Sequence, residues 1–457
     1  MTRSASRREF LRRAAALGVT GVAAPLALNL AAIAEAAAQS ASDHKALVCV
    51  FLFGGNDDGN TVVPYDAAGH ANYTTLRGGL ATPRANLAGT VLSPRNPPAG
   101  GQQWALAPEL APLLPVFDAG RLGVLMNVGP LIQPTTKAQY TARSVPLPPK
   151  LFSHNDQQSV WQASAPEGAT SGWGGRIGDL FAAGNGDATF TCVSVSGNAV
   201  YLSGRSAVQY QMSSNGSVAI GGIGSTLFGS AAAANALRAL ITEATGGGMH
   251  EREHARLVSR SIAANVTVTA ALAGASPLTT VFPATGLGNQ LRMVARMLSA
   301  RSALGARRQV FFVSLGGFDH HDNLLVDHPA LLIQVADALR AFDASLTELG
   351  LQERVTTFTA SDFGRTLTSN GDGSDHGWGS HHFVMGGAVR GGRLFGTPPV
   401  LGNNGPDDVG QGRLLPTTAV DQLGATLATW FGVGGTDLST VMPQIGGYSV
   451  RDIGLFG

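Results

Sequence analysis

Five short segments concentrate the side chains that could do chemistry. They are residues 54–60 (GGNDDGN), 152–156 (FSHND), 316–323 (GGFDHHDN), 361–365 (SDFGR) and 375–382 (DHGWGSHH). Six of the 11 histidines fall in them: His154, His320, His321, His376, His381 and His382. Taken singly, each segment is ordinary turn chemistry, because Asp, Asn and Gly are what turns favour. A lone imidazole is more often packed or solvated than a ligand. Together they offer carboxylates and imidazoles without a thiolate. That donor set suits Zn²⁺, Mn²⁺ or another hard-to-borderline divalent ion. Ser153 stands at the start of a helical stretch, where local amides and a metal could activate it as a nucleophile. Arg365 could hold an anionic substrate bidentately.

The elements that must position these segments are visible in the apolar pattern. Residues 46–53 form an unbroken apolar run ending at Gly54-Gly55, which reads as a strand buried on both faces. Runs at 122–128, 189–195, 309–315, 355–360 and 382–385 read as further strands. Helical patterns cover 109–119, 155–163, 174–183, 231–245, 251–273, 289–302, 329–349 and 417–431. Strands alternating with helices imply a three-layer α/β/α fold with a mostly parallel sheet. In such sheets ligands bind beyond the carboxyl ends of the strands. All five segments lie in loops that follow strands. A Ser/Gly-rich stretch at 213–230 and the helical patterns to 300 are expected to form a helical cap inserted into one domain spanning 39–457.

Composition narrows the functional classes. The chain has 457 residues, of which 13% are charged, and a formal charge of +1. That balance excludes nucleic-acid binding through bulk positive charge. With 44% apolar residues, a core is within reach. Residues 1–38 differ from the rest. Arg3, Arg7, Arg8, Arg12 and Arg13 precede a weakly apolar run, and Ala36-Ala37-Ala38 offers a cleavage site. Ser6-Arg7-Arg8-Glu9-Phe10-Leu11 looks like a twin-arginine export signal. Gly18, Gly21, Pro25 and Asn29 make the run a poor membrane span. The expectation is a periplasmic or extracellular chain delivered by the twin-arginine machinery, with no stable membrane span after cleavage. Removing 1–38 takes away five arginines and two glutamates, leaving a formal charge of −2. Cys49 and Cys192 form one disulfide or remain two buried thiols, and their spacing offers no metal site.

The motifs at 54–65 (GGNDDGNTVVPY), 110–128, 316–323, 361–366 (SDFGRT), 375–387 (DHGWGSHHFVMGG) and 413–431 resemble the bacterial "domain of unknown function 1501" family. That family is distantly similar to the alkaline phosphatase and sulfatase superfamily. The resemblance implies an alkaline-phosphatase-like α/β/α fold, one or two divalent metals (Zn, Mn or Ca) and hydrolysis of phosphate or sulfate esters. It assigns Asp57, Asp319, His321, Asp362 and His376 as metal ligands, with Ser153 as nucleophile and Arg365 steadying the oxyanion. The chain departs from the superfamily twice. The helix at 152–163 (FSHNDQQSVWQA) lacks the Cys-x-Pro-x-Arg signature of formylglycine formation. Phe363 follows Asp362 where the superfamily has a histidine, leaving His154 or His381 to substitute. The alternative is a non-catalytic exported protein binding an anion, glycan or envelope partner; a phosphotransferase or mutase is a third possibility.

Overall fold

A computed structural model describes residues 43–457 apart from 245 and 247. The expected export signal at 1–38 lies outside the described residues. Among those described, nine strands form one central sheet. In chain order they are β1 (Lys45–Leu52), β2 (Leu122–Gly129), β3 (Cys192–Ser194), β4 (Tyr210–Gln211), β5 (Arg308–Leu315), β6 (Val355–Ser361), β7 (Ser380–Met385), β8 (Arg393–Phe395) and β9 (Thr418–Ala419). The sheet order is β8-β2-β7-β6-β1-β5-β3-β4, with β9 also pairing β2. β7 runs antiparallel to both of its neighbours, and the other pairs are parallel. Eight strands therefore point their carboxyl ends the same way.

Seven helices flank the sheet or pack beside it. They are α1 (His154–Ala163), α2 (Trp173–Phe181), α3 (Ala231–Thr242), α4 (Met249–Gly274), α5 (Gly286–Ser299), α6 (Leu324–Glu348) and α7 (Val420–Phe431). The unbroken apolar run of β1 serves two cores. Ala46, Val48, Val50 and Leu52 pack with α5 and α6 on one face. Leu47, Cys49 and Phe51 pack with Trp161 of α1, Trp173 of α2 and Leu423 of α7 on the other. The result is three layers, α/β/α, as the alternation of elements implies. Cys49 and Cys192 are both buried and unpaired.

Two expected elements come out differently. The helix expected at 109–119 is a 3-10 turn, Pro108–Leu113, followed by a short α-helix, Leu114–Asp118. Pro112 and Pro115 lack the N–H groups that a continuous α-helix needs. The strand expected at 189–195 contracts to Cys192–Ser194, because a 3-10 turn at Ala188–Phe190 takes its start. In the segment expected as a cap, α5 is largely buried against α6 and β5, whereas α3 and α4 pack on one another. α4 is long and apolar enough to cross a membrane, at mean hydropathy 1.2, with 22% of that window buried. Its first turns carry Glu251, Arg252, Glu253, Arg256 and Arg260, the pattern of a solvated face.

The layer that carries α1 is tied down by one buried carboxylate. Asp421, in the first turn of α7, accepts from Ser164 Oγ at 3.2 Å and from Gln444 N at 2.9 Å. Burial pushes the Asp421 carboxyl up to about 6. The folded chain therefore holds this proton more tightly than the unfolded chain. Stability is expected to fall as pH rises from about 4 to about 6, by on the order of 3 kcal/mol. Urea midpoints across that range should show this slope in the parent chain and lose it in Asp421→Asn.

Candidate metal centre

The site forms where the carboxyl ends of β1, β5 and β6 meet the start of α1. Two residues beyond β1 the chain turns at Gly54, whose φ is +113°. A Cβ there would lie 2.5 Å from the Asp319 amide, so only glycine lets the two loops approach. Gly55 lies under the Phe363 ring in the same way, at φ +83°. Beyond β6, Arg365–Ser369 pairs antiparallel with Ser374–His376, and the register sets Arg365 opposite His376. α1 opens with His154, so its first turn faces this hairpin.

Three imidazoles converge on Asp319 in one pattern. His154 Nδ1 donates to Asp362 Oδ2 at 2.6 Å while its Nε2 lies 3.3 Å from Asp319 Oδ2. His321 Nδ1 donates to Asp375 Oδ1 at 3.2 Å while its Nε2 lies 3.1 Å from Asp319 Oδ1. His376 Nδ1 donates to the Phe152 carbonyl at 2.7 Å while its Nε2 lies 3.3 Å from Asp319 Oδ1. The His321 and His376 Nε2 atoms are 2.9 Å apart. Each ring thus has one nitrogen anchored outward and the other turned to a shared carboxylate. Outer acceptors of this kind are how metal-ligating histidines are fixed in tautomer and direction. Ligand atoms of His154, Asp319 and His376 all lie within 4.8 Å of one another.

The electrostatics fit a cation. The Phe152 carbonyl can only accept, so it fixes the proton of His376 on Nδ1. Burial lowers the pKa of His376, favouring the neutral ring. Its Nε2 lone pair then faces the Asp319 carboxylate and the His321 Nε2. Such atoms need a proton or a metal ion between them. The hydrogen bond to Asp362 raises the pKa of His154, against the effect of burial. For Asp319 burial acts upward, but the Arg365 hydrogen bond and charge, with His154 and His321, hold it below the usual carboxylate range. Asp319 and His321 are nearly half exposed, so the cluster is open to solvent on one side. The three-imidazole, one-carboxylate set fits Zn²⁺ or a similar divalent ion.

The expected residues are therefore distributed as follows. Asp319, His321 and His376 come together. Asp362 stands one step out, its Oδ2 also accepting from Gln158 Nε2 at 2.8 Å and Gly54 N at 3.1 Å. Arg365 is buried and turned inward. Its three nitrogens reach the Ser374 and Gly54 carbonyls and, at 2.7 Å, Asp319 Oδ1. Asp57 is fully buried in an ion pair with Arg77. The Ser153 hydroxyl donates to Asp156 Oδ2 at 3.0 Å, with Lys150 Nζ 3.7 Å from the same oxygen. Of the two substitutes weighed for the absent histidine, His154 is in the cluster. His381 is inside the sheet, its Nδ1 accepting from Asn127 N at 3.0 Å. Sequence reasoning missed the anchors Asp375 and the Phe152 carbonyl. The Asp375-His376 dipeptide was a signal for the first; a backbone carbonyl gives none.

A family described as protein of unknown function (DUF1501) matches residues 44–441. The chain belongs to this family. Comparison with curated proteins finds no match. Among solved structures, the DUF1501 chain is similar to a sulfatase (PsFucS1) from Pseudoalteromonas sp., at 9% identity and a TM-score of 0.36, over 93% of this chain and 76% of that one. It is also similar to the lipoteichoic acid synthase LtaP from Listeria monocytogenes, at 8% identity and a TM-score of 0.33, over 91% and 77%. Both likenesses are distant, and the chemistry rests on the chain's own residues.

Behind the cluster, the Arg77–Asp57 pair sets a stability requirement. Both side chains have no exposed surface, and Arg77 also donates to the Thr366 carbonyl at 2.9 Å. Arg77→Met would leave a buried carboxylate without its partner. Denaturant unfolding should show a loss of about 3–5 kcal/mol, partly restored in Arg77→Met/Asp57→Asn.

Proposed function

We propose that the chain is a metal-dependent hydrolase of phosphate or sulfate esters, exported by the twin-arginine route to act in the periplasm or outside the cell. The observation that supports this reading is the convergence of three outward-anchored imidazoles on one half-exposed carboxylate. Asp319, His321, His376 and His154 would hold the ion. Zn²⁺ or Mn²⁺ suits them better than Ca²⁺, because imidazole nitrogens outnumber oxygens. Bound there, a divalent ion supplies Lewis-acid polarisation of an ester oxygen and lowers the pKa of a neighbouring hydroxyl.

The remaining work belongs to the chain. The N-cap of α1 has no side-chain capping bond, so its first-turn amides face an incoming anion. Ser153 Oγ attacks phosphorus or sulfur as the bond to the ester oxygen breaks, the alcohol leaves with that electron pair and is protonated from solvent, and Asp156, already the acceptor of the Ser153 hydroxyl, takes its proton. Water then displaces the group from Ser153. Arg365 holds Asp319 in place and does not reach for substrate. Asp362 and Asp375 keep the His154 and His321 rings aimed. One observation favours the non-catalytic reading: Arg365, the cation expected to steady an oxyanion, is committed to protein acceptors.

Metal analysis of the exported full-length chain, with a panel of phosphate and sulfate esters, separates the two. One ion per chain and ester turnover are expected. Asp319→Asn should lose both. Ser153→Ala should keep the ion and lose turnover by about 10³-fold or more. Ion without turnover across the panel would favour the binding protein, and a metal content unchanged in Asp319→Asn would reject the site.

A further inference from the structure

Away from the metal cluster, a cavity of about 680 Å³ opens between α5 and the chain that follows α4. Leu272, Leu278, Val281 and Phe282 give it apolar walls. Val281 is 88% exposed, so its side chain is open to a ligand that enters from solvent. Arg292 and Arg296 of α5 line the same cavity. Among the described residues, neither guanidinium has a hydrogen-bond or ion-pair partner. They stand four residues apart on one helix face, where like charges repel. An oxyanion between them would remove that repulsion and gain charge-assisted hydrogen bonds.

The apolar wall is held in shape from outside the cavity. Glu348, at the end of α6, accepts from Thr279 N at 2.6 Å, Thr280 N at 2.9 Å and Thr280 Oγ1 at 2.6 Å. Ser299 Oγ donates to the Ser276 carbonyl at 3.4 Å. The loop beside the arginines is thus pinned at Ser276 and at Thr279–Thr280 before any ligand arrives, which lowers the ordering cost of binding.

We propose that this cavity binds an amphipathic organic anion, its oxyanion head on Arg292 and Arg296 and its apolar body against Leu278, Val281 and Phe282. Neither arginine touches the metal cluster, so the site is independent of the proposed hydrolysis. The probe is 8-anilinonaphthalene-1-sulfonate, which joins a sulfonate to an aromatic body. Titrated into the full-length folded chain, it should show saturable binding at one site, weakened by added sodium sulfate. Arg292→Gln and Arg296→Gln should each weaken binding by about tenfold, and the double variant should abolish it. Arg301→Gln, two residues beyond the same helix, and Asp319→Asn, in the metal cluster, should leave binding unchanged. Circular dichroism of every variant should match the parent. The proposal is overturned by absence of saturable binding, by a double variant that binds like the parent, or by an equal loss in Arg301→Gln or Asp319→Asn.

Discussion

The site depends on one constraint: each of three imidazoles must be held by its Nδ1 so that its Nε2 faces Asp319. Free rotation about a histidine side chain would scatter those lone pairs. Asp362, Asp375 and the Phe152 carbonyl remove that freedom from three different directions. They come from the end of β6, the hairpin beyond it and the loop before α1. The pattern therefore exists only when the sheet, the hairpin and the helix are all in register. Phe363 fits the same scheme. Its ring lies 4.9 Å from that of His154 and 4.7 Å from that of His376, packing the imidazoles from the inner side. Phe363 thus contributes packing, and His154 contributes the nitrogen.

The fold supplies the positions. Eight strands share a direction, so the loops after β1, β5 and β6 emerge on one edge. Glycine at 54 and 55 lets those loops approach more closely than any side chain would permit. Charge is handled in two layers. The exposed layer gathers three histidines around Asp319. The buried layer pairs Asp57 with Arg77 and leaves Asp58, whose carboxyl burial and the neighbouring Asp57 push upward, towards its neutral form. A guanidinium thus balances the carboxylate that the sequence had suggested for a second ion.

Much of this was legible in the residues, and the limits are instructive. The unbroken apolar run at 46–53 marked β1, because a strand buried on both faces has no polar side, and β2, β5 and β6 were marked by shorter runs rich in apolar and β-branched residues. The antiparallel direction of β7 was not legible, since periodicity carries no information about direction. Pro112 and Pro115 were visible in the sequence, yet the helical apolar spacing masked their effect. Within the site, Asp319, His321 and His376 were found because two short motifs held them. His154 was only one of two possibilities, since a ligand on a separate helix depends on how that helix docks. The roles of Asp57 and Arg365 were least legible. Arg77, 20 positions from Asp57, gives no signal in sequence that it will be buried against it.

X-ray absorption at the metal edge of the zinc-loaded, full-length chain tests the central claim most directly. A first shell of nitrogen and oxygen at about 2.0–2.1 Å is expected, with outer-shell scattering from three imidazoles. That scattering should drop by one ring in His154→Ala. A shell with no imidazole signature, or one that His154→Ala leaves unchanged, would contradict it.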